Sequence, residues 1–80
     1  MITIYRMRGL RIIIYANDHD PAHVHVFRNK DEARINLAGP ELVYVDGLKR
    51  QDVRLALEIV RENAAAFMQK WLEIHGQAFR

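Results

Sequence analysis

"HVHVFRNKDEARINL", residues 23–37, sets the architecture. Val24 and Val26 alternate with His23, His25 and Phe27, and after a turn Ala33, Ile35 and Leu37 alternate with Glu32, Arg34 and Asn36. A period of two marks a strand with one apolar face. The stretch therefore predicts two strands, His23 to Arg28 and Glu32 to Leu37, turned back on each other by Asn29, Lys30 and Asp31. Val24, Val26, Ala33, Ile35 and Leu37 form the expected core face, which leaves His23 and His25 on the outer one.

Upstream, Ile2 to Met7 and Leu10 to Ala16 read as two further strands joined at Gly9, because Ile and Tyr dominate and the glycine permits a tight turn. Asn17, Asp18, Asp20 and Pro21 break the second of these, since Asn and Asp favour turns and proline lacks a backbone donor. Downstream, Ala38 to Glu41 is a turn, and Leu42 to Val45 is a short fifth strand. From Leu48 to His75 no Gly or Pro interrupts the chain, and one long helix is expected, capped by Asp46 or begun near Leu48 or Gln51. Val53, Leu57, Val60, Ala64, Phe67, Met68 and Trp71 fall on one stripe at helical spacing and should cover the sheet. Leu55 and Ile59 then project from the far side, where they either stand exposed or meet a partner chain. Gly76 ends the helix, and Phe79 belongs to a short tail that docks or frays. The expected class is α+β: an antiparallel sheet of four to five short strands over residues 1–46, covered by one long helix over residues 47–76, in a single domain.

The 80 residues contain no cysteine, so no disulfide framework exists, and any metal would need histidine and carboxylate ligands. That composition fits a cytoplasmic protein. Arg6, Arg8 and Arg11 interrupt the apolar N-terminal stretch, which excludes a signal peptide or membrane span there. Twelve Lys and Arg residues against ten Asp and Glu give a net charge of +2, which permits nucleic-acid contact without demanding it.

Three of the four histidines fall between residues 19 and 25, in the spacing H-x3-H-x-H. His23 and His25 stand on one strand face ~7 Å apart, close enough for imidazoles to converge. One reading adds His19 from the turn to make three nitrogen ligands for Zn²⁺ or another divalent transition metal, with Asp18 or Asp20 as a further ligand or an orienting carboxylate. A second reading is metal-free acid–base chemistry on RNA, in which His19, His23 and His25 move protons while Arg28 and Arg34 stabilise phosphorane charge. A third is structural: Asp18 bonds the turn backbone, His19 caps, and the strand histidines are simply exposed. His75 sits in the last helical turn, where it suits the helix dipole. Tyr5, Tyr15 and Tyr44 either stack on bases or pack across strands. Trp71 belongs to the buried stripe.

The run Asn17-Asp18-His19-x-Pro21-x-His23-x-His25 resembles the N-D-H-x-P-P-H-x-H signature of a small bacterial family, domain-of-unknown-function family 4160. The similarity extends to Thr3, Ile4 and Arg6 at the start, the Glu32-Ala33-x-Ile35 strand, and the C-terminal helix with Trp71. Ala22 replaces a frequent second proline and Val24 a frequent aromatic; both departures touch the packing of the turn and leave the imidazoles in place. The resemblance implies a small partner protein encoded alongside, in a toxin–antitoxin-like two-gene module. The expected function is therefore the small basic component of such a pair, acting on RNA through the histidine turn; the alternative is a non-enzymatic metal-binding or protein-interaction module. Partners would be a small cognate protein, RNA, or a second copy joined through Leu55 and Ile59 or a sheet edge, with no membrane.

Overall fold

The computed structural model describes residues 1–76. Five strands, β1 (Ile2–Met7), β2 (Leu10–Ile14), β3 (His23–Arg28), β4 (Asp31–Asn36) and β5 (Glu41–Asp46), precede two helices, α1 (Arg50–Glu62) and α2 (Ala64–Gly76). The strands form one antiparallel sheet in the order β1-β2-β3-β4-β5, a meander in which every neighbour in sequence is a neighbour in space. Phe79, expected to dock or fray, lies outside the described residues. Among the described residues no helix is long and apolar enough to cross a membrane.

Alternation assigns the two faces of the central strands as their sequence implies. Val24, Val26, Ala33 and Ile35 are fully buried with Leu10, Ile12 and Ile14, and the helices close this face with Ala56, Ile59, Val60, Phe67 and Trp71. Burying each large aliphatic side chain contributes about 2 kcal/mol, so this layer dominates the stability of so short a chain. Tyr5 joins it from β1, its ring edge-on to Phe67 at 5.6 Å, and is core rather than a base-stacking residue.

The expected single helix is two. Asn63 breaks it: its Nδ2 donates to the Ile59 carbonyl at 2.8 Å, beside its own backbone N–H on the same carbonyl at 3.0 Å. An asparagine that competes for backbone acceptors in this way favours termination. With φ −118° and ψ 16° it leaves the helical region, and Phe67 restarts the ladder by donating to the Asn63 carbonyl at 2.8 Å.

The buried stripe of α1 is also displaced. It runs through Asp52, Ala56, Ile59 and Val60, while Val53 and Leu57 are half-buried. Ile59, expected to project outward, is 3 % exposed within the core, and Leu55 is half-buried and packs against that core. The disguise is Asp52. A charge at the head of the stripe hid its phase from a reading based on hydrophobicity, and it is buried there because Arg28 pairs with it. Arg28 Nε donates to Asp52 Oδ2 at 2.8 Å, Nη2 to Oδ1 at 3.1 Å, and Nη2 also to the Arg8 carbonyl at 2.9 Å. This fork ties β3 to α1 and to the β1–β2 turn. It also explains Gly9, whose φ of +83° favours glycine and where a Cβ would lie 2.5 Å from Arg28 Nη1. Asp46, the expected helix cap, closes β5 instead; Lys49 occupies the cap position and makes no side-chain capping bond.

Candidate metal centre

The turn between β2 and β3 folds back on itself. Asp18 N–H donates to the Tyr15 carbonyl at 3.1 Å, and Tyr15 N–H donates in return to Asp18 Oδ2 at 3.0 Å. These reciprocal bonds fix the Asp18 carboxylate at the end of the sheet, directly over the first residues of β3. The Ala22 carbonyl accepts from Leu37 N–H at 2.9 Å and anchors the far side of the turn.

His23 and His25 meet that carboxylate. His25 Nε2 lies 3.2 Å from Asp18 Oδ2, and His23 Nε2 lies 3.5 Å from Asp18 Oδ1. One ligand atom from each of Asp18, His23 and His25 falls within 4.8 Å of the other two. The two rings are 5.0 Å apart and tilted by 65°. For a tetrahedral ion with bonds of about 2.0 Å the ligand atoms stand ~3.3 Å apart, so both carboxylate–imidazole edges match that spacing.

The remaining nitrogen of each ring is held from behind. His23 Nδ1–H donates to the Pro21 carbonyl at 2.8 Å, and His25 Nδ1–H donates to Glu32 Oε2 at 2.9 Å. Both partners can only accept, so each Nδ1 carries a proton. In the neutral form each Nε2 lone pair would face the Asp18 carboxylate, and in the charged form each Nε2–H would donate to it. Acceptors facing acceptors demand a cation between them or additional protons on the rings. Carbonyl and carboxylate partners behind ligating imidazoles are the usual means of orienting them and raising their basicity.

The group is enclosed: the side chains of Asp18, His23 and His25 are 13 %, 12 % and 8 % exposed. Tyr15 packs edge-on against His25 at 4.7 Å, and Trp71 approaches His23 at 5.4 Å. The strand histidines thus face away from the core, as alternation requires, yet are covered rather than exposed. On its other side Asp18 borders a cavity of about 490 Å³ between the turn and the end of α2, with Trp71, Leu72 and His75 on the opposite wall.

The other candidate residues part company here. His19 and Asp20 are exposed and line that cavity without joining the three convergent side chains. Arg28 follows Val24 and Val26 to the helix side of the sheet, where Asp52 occupies it. Arg34 stands opposite His25 in register and lies 4.0 Å from Glu32, with its guanidinium 4.9 Å from the centre of the Tyr44 ring. His75 stacks on Trp71 at 3.8 Å and donates from Nδ1 to the Trp71 carbonyl at 3.0 Å, which caps the last turn of α2. Sequence reasoning missed Glu32 as the orienting carboxylate. The signal was present: alternation places Glu32 on the same face as His25, one diagonal away on the neighbouring strand.

The chain matches the family described as Domain of unknown function (DUF4160) over residues 9–72, a span that takes in Asp18, His23, His25, Glu32 and Trp71. Comparison with curated proteins and with solved structures finds no match.

Proposed function

This chain belongs to the DUF4160 family, and from that premise we propose that it is a divalent-transition-metal-binding protein whose ligands are Asp18, His23 and His25. The observation that carries the reading is the convergence of two imidazole Nε2 atoms and one carboxylate within 4.8 Å, each imidazole fixed from behind by an acceptor. Nitrogen and oxygen donors without thiolate suit Zn²⁺, Fe²⁺ or Mn²⁺. Three protein ligands leave a coordination position for water, and a metal there lowers the water's proton affinity and polarises a bound oxygen. Glu32 and the Pro21 carbonyl orient the ligands; His19 and Asp20 are not required.

Purified protein, stripped with chelator and titrated with Zn²⁺ or Co²⁺, should take up about one ion per chain. His25→Ala and Asp18→Asn should each abolish uptake, whereas His19→Ala should retain it. A folded wild-type chain that takes up no ion overturns the reading.

A second reading follows from the resemblance: a component of a toxin–antitoxin-like pair, held by a small cognate protein and acting on RNA. The observation that favours a protein partner is β5, the outer edge of the sheet, where Leu42, Val43, Tyr44 and Val45 are between 36 % and 47 % exposed. Antiparallel self-pairing centred on this strand would set Glu41 against Asp46 of a second copy, which like charges disfavour. The edge suits instead a different chain whose added strand carries cations at its ends. Induced expression alone should arrest growth, with relief by His23→Ala; unimpeded growth, together with no complex on co-expression of the small protein encoded alongside, overturns it.

A further inference from the structure

The sheet face turned away from the helix layer carries a pattern that neither the core nor the metal ligands explain. Register aligns Arg6, Arg11 and Phe27 in one row across β1, β2 and β3, and Ile13, His25, Arg34 and Tyr44 in the next across β2 to β5. Two cation–aromatic pairs result. The Arg11 guanidinium lies 5.6 Å from the centre of the Phe27 ring, and that of Arg34 lies 4.9 Å from Tyr44. Two strand spacings and two residues of rise separate the pairs, ~12 Å along a diagonal of the sheet.

A depression of about 300 Å³ opens beside the first pair. Tyr15, Phe27 and Asn29 wall it and Arg11 and Lys30 flank it, with no carboxylate among its described lining residues. Beside the second pair, Arg34 Nε is buried without a hydrogen-bond partner. Buried donors are rarely left unpaired, and the rest of this guanidinium is on the surface, its side chain 41 % exposed and its contact with Glu32 long at 4.0 Å, so its outer N–H groups can donate to an anionic oxygen. Glu32, Glu41 and Asp46 also lie on this face, against Arg6, Arg11, Lys30 and Arg34; Glu32 is already engaged by His25, and Glu41 and Asp46 stand at the two ends of the edge strand.

We infer that this face binds single-stranded nucleic acid, with bases against Tyr15, Phe27 and Tyr44 and phosphates on Arg11, Lys30 and Arg34. Guanidiniums match phosphate with a planar fork, and aromatic rings or the arginine planes laid over them accept bases of any identity. A flat sheet face offers no element to enter a duplex groove, and splayed single strands suit it. An acidic peptide would satisfy the cations but leave the interleaved aromatics without a role. The inference does not rest on the metal, although His25 lies between the two pairs and would bring a bound strand close to the ion.

The test is fluorescence anisotropy with a labelled mixed-sequence RNA strand of about 12 nucleotides, its DNA counterpart, the duplex form and a polyglutamate peptide, each with chelated and with metal-loaded protein. Binding of the RNA or DNA single strand should persist in chelator and weaken with salt, at a log–log slope of about −2 for three phosphates. Arg11→Ala with Arg34→Ala should lower affinity at least ~10-fold and flatten that slope, and Tyr44→Leu should lower it ~5-fold or more. Arg34→Lys, which keeps charge and fold but loses the fork, should fall between. Arg54→Ala on α1 should change nothing. No single-strand binding at low salt, equal loss in Arg54→Ala, tighter binding of duplex, or equal binding of polyglutamate overturns the proposal. Metal uptake measured on the same samples reads the metal proposal separately, so either can fail alone.

Discussion

On one side of the sheet Arg28 meets Asp52; on the other, Asp18 meets His23 and His25. Both groups bury charge-bearing side chains, and His25 and Asp52 are the polar residues most withdrawn from solvent among those described. Their donor and acceptor counts differ. In the first, two guanidinium N–H groups meet two carboxylate oxygens, and a further bond reaches the Arg8 carbonyl, so both oxygens of the buried Asp52 are matched within the protein. In the second, the Nδ1–H groups are taken by Pro21 and Glu32, and the two Nε2 atoms both face one carboxylate. The first is a fastener complete in itself. The second is left to be completed by a further ring proton or by a cation, and it is this open demand, rather than burial, on which the metal proposal rests.

The largest expected effect separates the two by metal. At a hundredfold excess of Zn²⁺ over its Kd, linkage adds about 2.7 kcal/mol, which in a domain this small raises Tm by roughly 10–20 °C. Calorimetry should show that rise in wild type and in Arg28→Met, but not in Asp18→Asn or His25→Ala. A rise in all four chains would erase the distinction.

Next comes the fastener. Arg28→Met strands the Asp52 carboxylate beneath α1 and should cost about 2 kcal/mol by urea unfolding. Adding Asp52→Leu should recover most of it, because a well-packed apolar pair replaces a matched ionic one at little loss. Metal affinity should be untouched in both.

Glu32→Gln sharpens the contrast from the other side. It keeps an acceptor behind His25 but removes the charge, so Zn²⁺ affinity measured by calorimetric titration should fall about tenfold, with stability in chelator little changed. The smallest effect is Gly9→Ala, which places a side chain at positive φ against Arg28 and should cost about 1 kcal/mol on denaturation, again without touching metal binding.

Much of this was legible in the sequence. The alternation through Val24, Val26, Ala33 and Ile35 yields the central hairpin and its buried face, and the clustered histidines mark the site. What was illegible depended on partners distant in the chain. Asp52 looks like a solvent-facing charge until β3 brings Arg28 beneath it, and the phase of α1, with the burial of Ile59, follows from that one pair. Asn63 is an ordinary helix residue by composition; only its side-chain bond to Ile59 makes it a break. Asp18 and Asp20 are equivalent in sequence, and the reciprocal bonds between Tyr15 and Asp18 select the first. His19 appeared the natural third ligand by proximity along the chain, yet the turn that delivers Asp18 leaves His19 at its surface.

Trp71 is the single tryptophan in the chain, and its ring stands 5.4 Å from His23 and 3.8 Å from His75. The indole ring is thus in direct contact with one proposed metal ligand, and an ion taken up there would alter the surroundings of the ring. The protein therefore carries its own optical gauge: emission excited at the indole band follows the state of His23 directly, with no label attached, and Phe substituted for His75 separates the two neighbouring rings in that signal.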